Sequence, residues 1–86
     1  MSDPDTRVRM FTRSGYHLCD STEAVIRRMR DRISFEFEVV HIDDDPERVQ
    51  RYGTRVPVID INGEEVFHYR VDALELEREV RKRWNR

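Results

Sequence analysis

The chain has 86 residues with 16 basic and 18 acidic side chains, which gives it a formal net charge of −2. This length predicts one small domain, since a chain of this size buries too little surface for two separate cores. Charges of both signs are interspersed, so the sequence does not predict nucleic acid as a partner. No apolar run approaches the roughly 18 residues of a membrane span, and the acidic N-terminus is unlike a signal peptide. The only cysteine, Cys19, excludes an internal disulfide, and we expect a cytoplasmic protein.

The first half of the sequence predicts a strand, a helix and a second strand. Residues 1–6 are expected to form a disordered tail before a single domain at 7–86, and apolar and charged residues alternate over 7–13, as in a strand. Apolar residues then recur at three- and four-residue spacing over 18–33, which is typical of an amphipathic helix. Residues 35–42 alternate and then become mainly apolar, as in a strand that passes from an edge into a sheet.

A short helix is predicted next, because Asp45 is a good N-cap residue and Pro46 fits the first helical position. Tyr52-Gly53 would end that helix. The acidic run before it could bind a cation, but we favour helix capping by Asp45, with Asp43 and Asp44 facing water.

The end of the sequence predicts a β-hairpin and a last helix. Residues 56–61 predict a strand entered through Pro57, and Asn62-Gly63 is a hairpin signal before a fourth strand at 65–68. Asp72 would cap the last helix, whose apolar stripe should pack on the sheet through Ala73, Leu76, Val80 and Trp84. The order β-α-β-α-β-β-α predicts an α/β fold in which a four-stranded mixed sheet carries helices on both faces.

The segment Tyr16-His17-Leu18-Cys19 has the layout of a thioredoxin-type redox site, since it joins the first strand to the first helix. In a Cys-x-x-Cys site the first thiol attacks a disulfide and the second thiol resolves the mixed disulfide. Tyrosine stands at the first position here, so only the second thiol is present. Together with the element order, Tyr52-Gly53-Thr54-Arg55-Val56-Pro57-Val58 and Asn62-Gly63, this segment resembles the glutaredoxin-like branch of the thioredoxin superfamily.

The resemblance implies a thioredoxin-like (glutaredoxin-like) fold and a redox function that requires no cofactor or metal. The expected partners are glutathione or a protein thiol or peptide, with substrate-binding positions at Arg13, Tyr16, His17, Val56, Pro57 and Asp72. It also implies a cis bond before Pro57, whereas the residues alone leave cis and trans about equal. The Gly-Gly turn that such proteins use for glutathione is replaced by residues 68–72, in which only Asp72 has a counterpart.

Cys19 is the candidate catalytic residue, and two interpretations of it stay open. The helix N-terminus, with His17 or Arg13, could stabilise a thiolate that attacks a disulfide or accepts glutathione. The favoured interpretation is an inert core thiol, because the second position of such a site lies inward and free cysteines are often buried. Tyr16 could close over the site, but we favour a surface aromatic at a helix start.

Two functions are compatible with this sequence. The first is a glutaredoxin/thioredoxin-like role in thiol–disulfide redox homeostasis, with a degenerate single-cysteine site and weak or no dithiol oxidoreductase activity. The second is a non-catalytic thioredoxin-fold module that binds a peptide or partner protein at the groove between Tyr16 and Pro57. If the protein is an enzyme, it is therefore at most a single-cysteine thiol–disulfide oxidoreductase. We expect a monomer or a weak homodimer.

Overall fold

A computed structural model of the chain describes residues 6–84. Its elements follow the predicted order, and their bounds are β1 Arg7–Thr12, α1 His17–Met29, β2 Glu36–His41, α2 Pro46–Tyr52, β3 Val58–Ile61, β4 Glu64–His68 and α3 Ala73–Trp84. Residues 1–5 of the predicted tail lie outside the described part. Thr6, also assigned to that tail, is instead fully buried, and its carbonyl accepts a hydrogen bond from the Glu36 N–H at 2.8 Å.

The four strands form one mixed sheet in the order β2-β1-β3-β4. β1 runs parallel to β2 and antiparallel to β3, and β3 runs antiparallel to β4. The C-terminal ends of β1, β2 and β4 and the N-terminal end of β3 therefore lie at the same end of the sheet. We call it the Pro57 end. This topology is the predicted thioredoxin-like fold, with the loop before α1 at the Pro57 end.

The face covered by α1 and α3 holds most of the apolar core. α1 and α3 contact each other there, and side chains alternate along β1 and β3 so that every second one points into this layer. The buried side chains are Val8, Met10, Ile59 and Ile61 from the strands, Ile26 and Met29 from α1, and Leu76 and Val80 from α3. The side chain of Trp84, predicted to extend the stripe of α3, lies outside the described part.

The opposite face carries α2 and combines aromatic with charged side chains. The Phe11 ring stacks on the Tyr52 ring of α2 with 4.5 Å between centroids. Beside them, Arg9 donates to both oxygens of the buried Asp60 carboxylate, its partner in the β1–β3 register, at 3.1 and 2.7 Å. These hydrogen bonds raise the pKa of the Arg9 guanidinium above its ordinary value. The charge pair is thus part of the packed sheet.

The predicted helix ends are confirmed at α2. The Asp45 carboxylate accepts hydrogen bonds from the backbone N–H groups of Glu47 and Arg48 at 3.1 and 3.2 Å, with Pro46 at the first helical position. Gly53 follows the helix, and a β-carbon there would clash with the Val49 carbonyl oxygen. This close approach of the backbone is why a glycine is required at the helix end.

Candidate functional site

Cys19 lies in the first turn of α1, and its side chain is enclosed. Only 3% of the residue is exposed, and it belongs to the apolar core. Its backbone N–H donates to the Tyr16 carbonyl at 3.1 Å. Tyr16 is the N-cap residue but makes no side-chain capping bond, so this turn lacks the usual support from a polar cap. The thiol is therefore shielded by a helix N-terminus that has no side-chain cap.

The loop before α1 is anchored by Asp43, which is exposed, as predicted. The Asp43 carboxylate also accepts hydrogen bonds from the backbone N–H and the hydroxyl of Ser14 at 3.2 and 3.1 Å. This contact, which was not predicted, forms because β1 and β2 are parallel, so the residues after both strands meet at the Pro57 end. That topology, itself predictable, was the signal that could have identified the contact.

Arg13 is directed toward groups of the protein itself. Its guanidinium donates to the Gly53 carbonyl at 3.2 Å, lies 4.0 Å from the Asp43 carboxylate and sits 5.8 Å from the centre of the Tyr16 ring. These contacts join the end of α2, the loop after β2 and the start of α1. Arg13 thus has internal partners at the position where a substrate carboxylate was expected.

The Val56–Pro57 segment precedes β3, at the same end of the sheet as the loop before α1. The peptide bond between the two residues is cis. Val56 is completely buried and Pro57 is also buried. Within residues 6–84, no hydrogen bond engages the backbone N–H or carbonyl of Val56. The backbone N–H and carbonyl of Val56 are therefore without hydrogen-bond partners in this part of the chain, although the residue is buried.

The turn between β4 and α3 completes this end of the molecule. Tyr69 has a φ of +64°, which is unusual for a residue with a side chain, and its N–H is shared between the carbonyls of Arg55 and Pro57, both at 2.9 Å. Asp72 accepts hydrogen bonds from the N–H groups of Leu74 and Glu75 at 2.9 and 3.0 Å. Asp72 therefore caps α3, as its sequence pattern predicted. Asp72 was also a predicted substrate-binding residue, and its carboxylate is engaged in this cap.

The structure brings the predicted site residues to the same end of the sheet, but with different degrees of access. Tyr16 and His17 are exposed, whereas Cys19, Val56 and Pro57 are buried. Exposed apolar side chains were the feature that sequence reasoning underrated. In the described part of the chain, the large ones are Tyr16, Leu18, Tyr69 and Leu74, at 39, 40, 49 and 75% exposure. Tyr16 and Leu18 lie at the start of α1, Leu74 at the start of α3 and Tyr69 in the turn before it, all at the Pro57 end.

Within residues 6–84, histidine, cysteine and carboxylate side chains do not gather in any group of three or more that could hold a metal ion. Among the helices of the same residues, none is both long and apolar enough to cross a membrane.

A four-stranded sheet with this topology and three helices defines a thioredoxin-like fold, and comparison with known proteins agrees. The sequence profile of the glutaredoxin-like domain family (DUF836) matches residues 7–81. The chain belongs to this family, and a single cysteine fits a degenerate site within it.

Solved structures support the assignment. Structural genomics target protein XcR50 from X. campestris is 32% identical, with a TM-score of 0.72 over 87% of this chain and 96% of that one. Protein Ne2328 from Nitrosomonas europaea is 28% identical, with a TM-score of 0.77 over 92% of this chain and 94% of that one. A mutant thioredoxin from Halobacterium salinarum is 21% identical, with a TM-score of 0.70 over 94% of this chain and 76% of that one, which shows a shared fold.

Proposed function

We propose that this protein serves thiol–disulfide redox homeostasis as a single-cysteine member of its family and that it does not run a dithiol cycle. The observation that carries this proposal is the location of the only cysteine, in the first turn of α1 at the Pro57 end. We place the protein in the cytoplasm, because a reducing compartment keeps a lone thiol free.

A single thiol restricts the chemistry to exchange with an external thiol. The Cys19 thiolate would attack the glutathione sulfur of a glutathionylated protein thiol, forming a mixed disulfide with glutathione and releasing the protein thiolate. A second glutathione would then attack the mixed disulfide, which regenerates Cys19 and oxidised glutathione. A dithiol cycle would need a second thiol in the chain to resolve the intermediate, and the sequence has none.

Burial of Cys19 makes this exchange slow. With 3% of the residue exposed, the sulfur becomes accessible only when the first turn of α1 opens. Opening is helped by the missing polar N-cap, since such a cap contributes roughly 1 kcal/mol to helix stability. The unused backbone N–H and carbonyl of Val56 could then pair with the backbone of glutathione or of a peptide. Because Arg13 and Asp72 already have partners, glutathione would be held with fewer charged contacts than the resemblance implied.

The test is to measure both the existing thiol and a restored pair. We expect native Cys19 to alkylate with iodoacetamide much more slowly than in urea, and oxidised glutathione to add one glutathione by mass spectrometry. Tyr16→Cys should introduce the missing attacking thiol and produce dithiol reductase activity. The matched controls are Cys19→Ser, which should take up no glutathione, and the Tyr16→Cys, Cys19→Ser double variant, which should lose the dithiol activity. The single-thiol proposal would be overturned if Cys19 took up no glutathione, even at urea concentrations that partly unfold the domain.

A second candidate function is a non-catalytic module that binds a peptide or partner protein between Tyr16 and Pro57. It is favoured by the four large apolar side chains exposed at this end of the molecule and by the backbone of Tyr69. A residue with a β-carbon at positive φ costs about 1–2 kcal/mol, and such strain is often retained at binding sites. This surface is suited to an extended peptide with apolar side chains.

The two functions predict opposite effects of two variants on partner capture from cell extract, quantified by mass spectrometry. If the module binds through its aromatic side chains, the Tyr16→Ala, Tyr69→Ala double variant loses the partners that wild type retains, while Cys19→Ser retains them. If mixed disulfides hold the partners, Cys19→Ser loses them. Equal capture by wild type and the aromatic double variant would eliminate the module.

A further inference from the structure

A groove on the α2 face of the sheet, distinct from the Cys19 region, has the features of a second binding site. Its volume is about 590 Å³, within the range of small-ligand sites. Arg9 and Phe11 of β1 form its floor, and α2 provides Arg48, Arg51 and Tyr52 along one wall. Asp45, Glu47 and Gln50 complete the lining.

The stacked rings of Phe11 and Tyr52 fix the guanidinium groups around this groove. Arg9 and Arg48 lie 5.2 and 5.7 Å from the centre of the Phe11 ring, and Arg51 lies 5.4 Å from the centre of the Tyr52 ring. A guanidinium near a ring face is held by cation–π attraction and keeps its N–H donors for other partners. The groove therefore presents several donors in positions set by aromatic packing.

The three arginines differ in how many of their N–H donors already make hydrogen bonds. Arg9 donates to Asp60 through Nε and Nη2, and within residues 6–84 its Nη1 group makes no hydrogen bond. Arg48 lies 3.6 Å from Asp45, too far for a hydrogen bond. Within residues 6–84, the guanidinium of Arg51 has no ion pair and no hydrogen bond. Arg48 and Arg51 are one helical turn apart, so their unused donors face the same groove.

The carboxylates of the groove limit what can bind. Asp60 is neutralised by Arg9, and Asp45 caps α2 and lies near Arg48. Glu47 has no cationic partner in the described part of the chain, so its charge opposes an anion nearby. A compact anion on the Arg48 and Arg51 side of the groove satisfies these constraints best.

We propose that this groove binds a phosphate or diphosphate group of a small soluble molecule. Guanidinium groups bind phosphate oxygens through paired, charge-assisted hydrogen bonds, and three of them line this groove. A nucleotide base has no open ring to stack on, because each ring lies against its neighbour on one side and near guanidinium groups. The groove thus recognises the phosphate groups themselves, and a nucleoside diphosphate should bind no more tightly than pyrophosphate.

The test is an NMR titration of the ¹⁵N-labelled full chain with pyrophosphate at constant ionic strength, repeated with inorganic phosphate and with ADP. We expect saturable shifts at the backbone amides of Arg48, Arg51 and Tyr52. The Arg48→Gln, Arg51→Gln double variant should weaken binding at least about tenfold, because charge-assisted hydrogen bonds are lost. Glu47→Gln should tighten binding, since it removes a repelling charge. Arg78→Gln, which removes an exposed arginine of α3, should bind like wild type.

Several results would overturn the proposal. They are the absence of saturable shifts with pyrophosphate, equal affinity in wild type and the double variant, or a loss as large in Arg78→Gln. Binding of ADP without binding of pyrophosphate would also overturn it, because the base would then be the recognised group. Arg51 is exposed, so Arg51→Gln alone keeps the test valid if the double variant unfolds. All of these outcomes are independent of Cys19.

Discussion

The two faces of the sheet are stabilised by different interactions. The face under α1 and α3 is closed by aliphatic side chains from four elements, including Ile26 and Leu76, which are fully buried. The face under α2 has an aromatic pair and a buried charge pair, while α2 itself contributes no fully buried residue. Apolar packing thus fixes the helix that bears Cys19, whereas the α2 face leaves room for a groove.

Truncation of an apolar side chain should separate the two faces most clearly. Ile26→Ala should lower the free energy of unfolding by about 3 kcal/mol, because it removes buried methylenes and leaves a cavity. The matched change on the other face is Val49→Ala in α2, which should cost about 1 kcal/mol because Val49 is only partly buried. Urea unfolding monitored by circular dichroism measures both values. Equal losses would show that α2 is packed as tightly as α1.

The Arg9–Asp60 pair should produce the next largest effect. Asp60→Ala should destabilise the domain by about 2 kcal/mol, since it leaves a half-buried guanidinium without its bidentate acceptor. Replacing both partners with apolar residues, as Arg9→Met with Asp60→Leu, should recover most of the loss. Urea unfolding of wild type, Arg9→Met, Asp60→Leu and the double variant gives the coupling energy. Additive single and double effects would mean that the pair does not couple the two strands.

Two substitutions of Tyr69 test whether the backbone of the turn between β4 and α3 is strained. Because φ is +64° there, Tyr69→Gly should be about 1 kcal/mol more stable than Tyr69→Ala, which keeps a β-carbon in the same backbone conformation. Thermal unfolding of the two variants makes the comparison, since neither retains the ring. If alanine were as stable as glycine, the turn would not be strained, and the backbone argument for a binding role of Tyr69 would fail.

The sequence predicted the sheet, the helices and the caps of α2 and α3 because each depends on local patterns, such as Asp45-Pro46 or the Asn62-Gly63 turn. The family resemblance added the location of the site around Cys19 and Pro57. The partner of an individual side chain on a distant segment was not predicted, because residue type and spacing leave several partners open. Arg13 could have met a ligand or Gly53, and only the folded chain shows that it meets Gly53. The strain at Tyr69 was also hidden, since the residue type gives no sign of a positive φ.

The smallest effect is expected from the ion pairs of Glu77 in α3, whose arginine partners are exposed, in contrast to the buried pair under α2. Glu77 accepts hydrogen bonds from Arg81 at 3.0 Å and from Arg32 at 2.9 Å, and the bond from Arg81 is the main reason that its pKa lies below the ordinary value of 4.5. A lower pKa in the folded state means that the unfolded chain binds the proton more strongly. The stabilisation is therefore complete above the unfolded pKa and is lost as the pH falls through the folded one.

Glu77→Gln should consequently destabilise the domain at neutral pH by about 0.5 kcal/mol, the usual size for exposed ion pairs. The difference from wild type should vanish in acid, below the folded pKa of Glu77. Urea unfolding over a series of pH values measures this, with Asp31→Asn as the control, because Asp31 is exposed and has no ionic partner within residues 6–84. A deficit that stays constant with pH would assign the effect of Glu77 to packing instead of charge.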